Sequence, residues 1–355
     1  MSGIAQPTAE VAGGPPGGGP GGNTLWRGAL AGGRLFIRQR EATVFVVALA
    51  LFVYFWLTTS TFATNSNLSN LLSGYAAQII ILAIGEVLLL ICGEIDLSVG
   101  FVFTFSPFLM HYLIDFYGVP GIPAILISLL MGVAVGWVNG FFTVTLRVPS
   151  FITTFGMSFV LFGLVLTTSH AYPAEIPASV QGIGNWIGGT QSGGFAWTQI
   201  VWAVVLVAIF HIVLTRTRWG LHTIAAGGNL LGAREAGIHV ARIKYGNFMI
   251  TGFLGALVGI QVAFYNSTID PSSGGYTPMF YAVAAAVIGG TAMLGGVGTI
   301  LGGFLGAIVI AIVLDGFSII GVSANPINII FGVAILLAMV ANVLLARLRG
   351  EGRTV

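Results

Sequence analysis

Between Ala42 and Ala346 this chain carries very few charges, and that constrains its fold more than any other feature. One stretch interrupts the apolar run: Thr215 to Lys244, reading TRTRWGLHTIAAGGNLLGAREAGIHVARIK. Five of the thirteen Lys and Arg residues lie in it: Arg216, Arg218, Arg234, Arg242 and Lys244. Charged residues make up 7% of the 355 and apolar ones 56%, and the mean hydropathy is +0.97. Soluble domains carry about 25% charged residues. A chain this poor in polar surface needs lipid as its solvent. The hydrophilic stretch is then where a soluble partner can meet it.

A membrane-spanning helix needs roughly 20 apolar residues. Ten segments qualify: about 42–58, 69–91, 98–115, 121–146, 150–169, 197–214, 246–266, 277–291, 298–320 and 326–346, the eighth being short. The expected fold is therefore an all-α membrane protein of about ten transmembrane helices. The Gly/Pro-rich residues before them cannot bury enough apolar area to offset chain entropy. With Arg27, Arg34, Arg38 and Arg40 they read as a disordered tail and basic arm over 1–41, preceding a membrane domain over 42–346 and a tail over 347–355.

Charge tests the count. Cationic residues near span ends stay cytoplasmic. With ten spans and both termini inside, all thirteen Lys and Arg fall on one side. The opposite loops, near 59–68, 115–121, 170–196, 267–276 and 321–325, hold none. The loop 170–196 reads as a structured cap or an irregular connection.

Several chemistries are excluded or unsupported. Lys244 is the only lysine and is flanked by Ile243 and Tyr245, so no Gly-Lys-Ser/Thr phosphate loop exists. If ATP drives the process, another chain hydrolyses it. The single Cys92 excludes a disulfide within the chain. No His/Asp/Glu cluster has metal-site spacing, no nucleophile–base pair stands out, and nothing points to nucleic acid. The chain reads as no enzyme and binds no cofactor of its own.

Three stretches carry information. The first is Gly93-Glu94-Ile95-Asp96-Leu97-Ser98-Val99-Gly100, between the second and third spans. Carboxylates beside the bilayer are costly if lipid-facing. Asp96 or Ser98 can cap the third span by accepting backbone N–H bonds. The alternative is a direct part in gating or subunit contact. The second is Ile288-Gly289-Gly290-Thr291-Ala292-Met293-Leu294-Gly295-Gly296-Val297-Gly298, which also interrupts an apolar run. Broken helices in both halves of a transporter often flank its pathway. The third is the hydrophilic stretch itself. Asn229 can cap a short cytoplasmic helix over about Leu230–Ala236 and Gly237 can end it. Such a helix suits a lever between a soluble machine and the spans.

GEIDLSVG, AAGGNLLGAREAGIHVARIK and AAAVIGGTAMLGGVGTILGG, in that order and spacing, resemble the permease subunits of ribose/xylose-type sugar ABC importers. The resemblance covers roughly residues 42–346. It implies a permease of the bacterial cytoplasmic membrane that pairs with a second permease subunit, an identical copy in a homodimer or else a homologue. It implies a partner ATPase, holding ATP and Mg, docked on the cytoplasmic loop, and an extracytoplasmic sugar-binding protein that delivers a monosaccharide. Gly228, Asn229, Ala233, Ala236, Gly237 and Ile238 fall on the coupling pattern of that family, with Arg234 and Glu235 departing from it. Gly93, Ile95, Asp96, Leu97, Ser98 and Gly100 fall on its other signature, where Glu94 replaces a more usual glycine.

A sugar needs hydrogen-bonding groups along its route. The candidates for this, polar residues inside spans, are Gln78, Glu86, Asn139, Gln261, Asn266 and Asp315. Tyr75, Trp137 and Phe151 offer ring faces. Bonding between helices is the competing role for each. Glu86 and Asp315 also leave open an ion-coupled carrier acting alone, and a nucleoside or polyol is a further substrate class.

Overall fold

A computed structural model describes residues 40–189, 196–321 and the isolated positions 329, 332, 333, 336 and 340. The expected tails over 1–41 and 347–355 fall outside it except for Arg40 and Glu41, which open the first helix. The tenth expected span, 326–346, also lies largely outside the described residues.

Helices dominate. α1 is Arg40–Thr58. α2 is Asn65–Ile91, with a π-helical segment at Asn70–Ala76. α3 is Val99–Asp115, and α4 is Gly121–Thr145, closing in a π-helical segment at Phe141–Thr145. α5 is Ser150–Ser169, α6 Gln181–Ile187 and α7 Trp197–Arg216. α8 is Arg218–Gly228, α9 Leu230–Glu235 and α10 Val240–Asn266. α11 is Tyr276–Ile288 and α12 Ile300–Ile319. Among the described residues, seven helices are long and apolar enough to cross a membrane: α1, α2, α4, α5, α7, α10 and α12. α3 and α11 are shorter apolar helices, so the third and eighth spans exist but fall below that length.

α2 and α10 form the centre. Their apolar windows are mostly buried inside the protein, whereas those of α1, α4, α5 and α7 are mostly exposed. Apolar side chains facing outward along most of a helix suit lipid or another protein surface, so these four helices form the lipid-facing or partner-facing periphery. Small residues bring backbones together where lipid supplies no hydrophobic drive between helices. α4 crosses α10 at Gly132 and Gly252, and a Cβ on either would run into the other's carbonyl oxygen.

The long loop 170–196 is at least partly a structured cap. Its two-residue strand β1, Ala174–Glu175, pairs antiparallel with β2, Thr268–Ile269, beyond the end of α10. α6 packs over the same end, against Phe264.

Of the two capping candidates for α3, Asp96 accepts a backbone N–H at its start and Ser98 does not, and the hydrophilic stretch holds more than expected. Ser98 occupies the cap position of α3 but its side chain makes no capping bond. Instead the Ser98 N–H and hydroxyl both donate to Asp96 Oδ1, at 2.8 and 2.6 Å. And the hydrophilic stretch holds two helices, because α8 precedes the short one; Thr217 caps it by accepting from the Gly220 N–H.

Candidate functional site

Sequence put the short helix at about Leu230–Ala236, and α9 covers Leu230–Glu235. The cause is local chemistry. Asn229 Oδ1 accepts from the Gly232 N–H at 3.0 Å, satisfying one of the orphan donors of the first turn. At the far end Gly237 takes φ +79°. There the Gly237 N–H reaches Arg234 O at 3.0 Å and the Ile238 N–H reaches Ala233 O at 2.9 Å, closing the last turn.

α9 shows two faces. Ala233 is buried among Cys92, Ala226 and Val240, with Ile238 packed alongside. Leu231, Arg234, Glu235 and Ala236 are exposed, Leu231 at 70%. Leu231 therefore stands on the outer face of α9 beside Arg234 and Glu235.

The second and third of the three informative stretches meet at the end of α2, just before the first. The Gly296 N–H donates to Ile91 O, at the end of α2, at 2.7 Å. Gly227, in the last turn of α8, lies against both groups so closely that a Cβ would strike the Ile91 carbonyl. A Cβ on Gly296 would likewise strike the Gly228 backbone, 2.7 Å from its Cα. Gly295 and Gly296 both take positive φ, at 88° and 80°. The end of α8 is therefore in backbone-to-backbone contact with the end of α2 and with the loop before α12.

A residue that sequence reasoning missed binds these elements further. Asn247 on α10 is fully buried. Its Oδ1 accepts from Trp219 Nε1 on α8 at 2.9 Å, and its Nδ2 donates to Leu88 O on α2 at 3.2 Å. Nothing in the local pattern around Asn247 announces partners on two other helices.

The turn at 92–98 is pinned to its neighbours. Gly93 turns the chain at φ +77°. Glu94 pairs with Lys244 on α10, both side chains largely buried. The Ile95 N–H donates to Ser150 Oγ at 3.3 Å and the Leu97 N–H to Thr154 Oγ1 at 3.0 Å, both on α5. Asn139 on α4 donates to Ser98 Oγ at 2.9 Å and lies 3.3 Å from Asp96 Oδ2. Asp96 is wholly buried, and burial pushes its carboxyl above the ordinary 3.8 against the opposing pull of the Ser98 and Asn139 donors. Burial likewise pushes the Cys92 thiol up to about 11, which makes it an inert apolar group at neutral pH.

Gly100 plays a separate part. Its carbonyl accepts the Gly275 N–H at 2.9 Å, and the Phe101 ring meets Tyr276 edge-on at 4.9 Å. The first turns of the two short helices, α3 and α11, are thus joined to each other.

The six polar candidates inside spans do not gather into one group. Asn139 belongs to the Asp96 network. Asp315 accepts from Asn67 at 2.7 Å and Asn70 at 3.2 Å, holding the π-helical segment of α2 to α12. Gln78 donates to Gly74 O within its own helix. Asn266 is exposed at the end of α10. Glu86 is fully buried with no hydrogen-bond partner among the described residues, and Gln261 Nε2 is in the same position. Among the described residues no group of three or more His, Cys, Asp or Glu could hold a metal ion.

Residues 67–340 match the family described as branched-chain amino acid transport system / permease component. The chain is 35% identical over 310 residues to the xylose/arabinose import permease of Sulfolobus acidocaldarius, covering 86% of this chain and 85% of that one. It is 29% identical over 317 residues to the ribose import permease of Escherichia coli K12, covering 88% and 97%. Its fold resembles a metal-chelate type ABC transporter solved in an inward-facing conformation, with a TM-score of 0.51 over 86% of this chain and 98% of that one. At 14% identity that likeness concerns the fold alone.

Proposed function

Because this chain belongs to the branched-chain amino acid transport system / permease component family, we propose that it forms the membrane pathway of an ABC importer for a monosaccharide, with a separate subunit hydrolysing ATP. Its curated relatives import xylose, arabinose and ribose, which favours a sugar of the pentose or hexose class over an amino acid. The chain is a multi-pass protein of the cytoplasmic membrane.

One observation carries the reading: Gly227 and Gly228, Ile91, and Gly296 meet at a single point beneath the capped helix α9. A push on α9 from a soluble motor would reach two spans without passing through flexible side chains. In this reading Gly228, Asn229, Ala233, Arg234, Glu235, Ala236, Gly237 and Ile238 form the face that couples to the ATPase. The turn from Gly93 to Gly100 relays it towards α3. The basic end, with Arg147, Arg216, Arg218, Arg234, Arg242 and Lys244, faces the cytoplasm by the positive-inside rule. Ten spans then place both termini there as well. The cap of β1, β2 and α6 faces outward, where a sugar-binding protein would deliver substrate. ATP and Mg belong to the partner, and a second copy of this permease completes the pathway across the bilayer. The joined starts of α3 and α11 border the sugar route, and the polar residues Gln78, Glu86, Asn139, Gln261, Asn266 and Asp315, spread over several helices, are candidate lining along its length.

Reconstitution tests this. The permease should co-purify with an ATPase whose turnover rises when a sugar-loaded binding protein is added. Sugar uptake by this chain alone, lost when the proton gradient is collapsed, would instead establish an ion-coupled carrier.

A further inference from the structure

A cavity of about 310 Å³ lies between α9, the end of α4 and the start of α10, with Arg234 of the exposed face of α9 at its edge. Arg147, Arg234 and Lys244 line it, and Glu94 is its one carboxylate. Three cations against one anion leave it two charges positive. Glu94 is already engaged with Lys244, so it does not neutralise the two arginines.

Two further features point to a ligand. Thr143 lines the cavity, is 8% exposed, and its hydroxyl has no hydrogen-bond partner among the described residues. A buried hydroxyl left unpaired is unfavourable unless something supplied from outside meets it. It sits in the π-helical segment at Phe141–Thr145, and such segments are frequent at functional sites. Immediately beyond, Arg147 holds φ +59°. A non-glycine residue in the left-handed region is disfavoured. Where surrounding structure enforces it, the conformation is a mark of function.

We propose that this cavity binds a phosphate oxyanion, either the headgroup of an anionic lipid or free phosphate. Arginine forks match phosphate oxygens in pairs, lysine supplies a point charge, and the Thr143 hydroxyl donates one hydrogen bond. Basic pockets beside membrane helices on the cytoplasmic side are suited to lipid headgroups. The occupant would tie α9, through Arg234, to α4, through Thr143 and Arg147, and so set how freely α9 moves.

The test uses the full chain in phosphatidylcholine nanodiscs, alone and with its ATPase. One arm adds inorganic phosphate and follows the unfolding midpoint. The other includes phosphatidylglycerol as a minor lipid and counts, by native mass spectrometry, the molecules retained. A saturable rise of the midpoint with phosphate identifies a free anion as the occupant; retained phosphatidylglycerol with no phosphate effect identifies a lipid headgroup. In either case Thr143→Val and Arg147→Gln should each weaken binding about tenfold, as loss of a charge-assisted or buried hydrogen bond implies. Thr143→Val keeps the side-chain shape and guards against a folding defect in the arginine variant. The proposal is overturned if neither probe binds, or if both variants bind like the parent. It is also overturned if the signal disappears on adding the ATPase, which would assign the cavity to that partner. No sugar enters the measurement, so failure here leaves the transport reading standing.

Discussion

The Gly296 N–H and the Ile91 carbonyl are 2.7 Å apart, and Gly227 closes over that bond with no room for a side chain. Three segments from distant parts of the chain therefore share one rigid point. Gly227→Ala puts a methyl group against a backbone carbonyl that can yield only by moving α2 or α8. Overpacking of this kind costs about 1–3 kcal/mol. Gly163→Ala on α5, where an added Cβ meets nothing within 4 Å, is the matched control. Thermal unfolding in detergent should separate the two variants clearly; equal midpoints would mean that the contact is not tight.

Glu94 and Lys244 make the second prediction. Their side chains are 12% and 17% exposed, so neither is well hydrated. Removing one partner from a buried pair leaves the other charge uncompensated, at about 3–5 kcal/mol. Partial exposure lowers that to about 2 kcal/mol here. Lys244→Met should therefore destabilise the protein more than the double variant Glu94→Gln/Lys244→Met does. A double variant at least as unstable as the single one would show that the pair is not coupled.

Much of this arrangement was readable in the residues themselves. The cap at Asn229 and the stop at Gly237 depend on local chemistry and appear where sequence placed them, as do seven of the ten expected spans at spanning length. The depth of the polar contacts was not readable. Asn247 bonds to Leu88, and Asn67 to Asp315, across separations of 159 and 248 residues. A lone amide in an apolar run shows that some partner is needed but not which one. The helix α8 was hidden for a different reason: three glycines, at 220, 227 and 228, weaken its helix propensity, and its packing through Trp219 onto Asn247 decides the matter. The Ser98 side chain misled because Asp96 captures it first.

Asp96 gives a pH prediction. Its folded-state carboxyl titrates above 3.8 because burial disfavours the charge. The folded protein thus holds the proton more tightly than the unfolded chain. Stability from this group is present below the ordinary carboxylate value and is lost as pH rises through the raised one. Asp96→Asn keeps an oxygen to accept from Ser98 and removes the ionisation. The variant's unfolding midpoint should fall less than the parent's as pH rises from about 4 to neutrality. Identical pH profiles for the two proteins would show that Asp96 titrates normally.

The final prediction concerns transmission from α9. Ala233 is 4% exposed, wedged against Cys92, Ala226 and Val240. Ala233→Leu would lift α9 off this seat while leaving its outer face intact. Gly237 has open space around it, but its φ of +79° suits only glycine among ordinary residues. Gly237→Val would strain the end of α9 by about 1–2 kcal/mol without any clash. The two variants thus disturb the lever by independent means, one through packing and one through backbone geometry. Both should still insert in the membrane and bind the ATPase through Leu231 and its exposed neighbours. Both should hydrolyse ATP with much reduced sugar uptake, by about tenfold if some 1.4 kcal/mol of coupling is lost. The measurement is the ratio of sugar imported to ATP consumed in proteoliposomes. A ratio unchanged in both variants would remove α9 from the coupling pathway, even with the family membership intact.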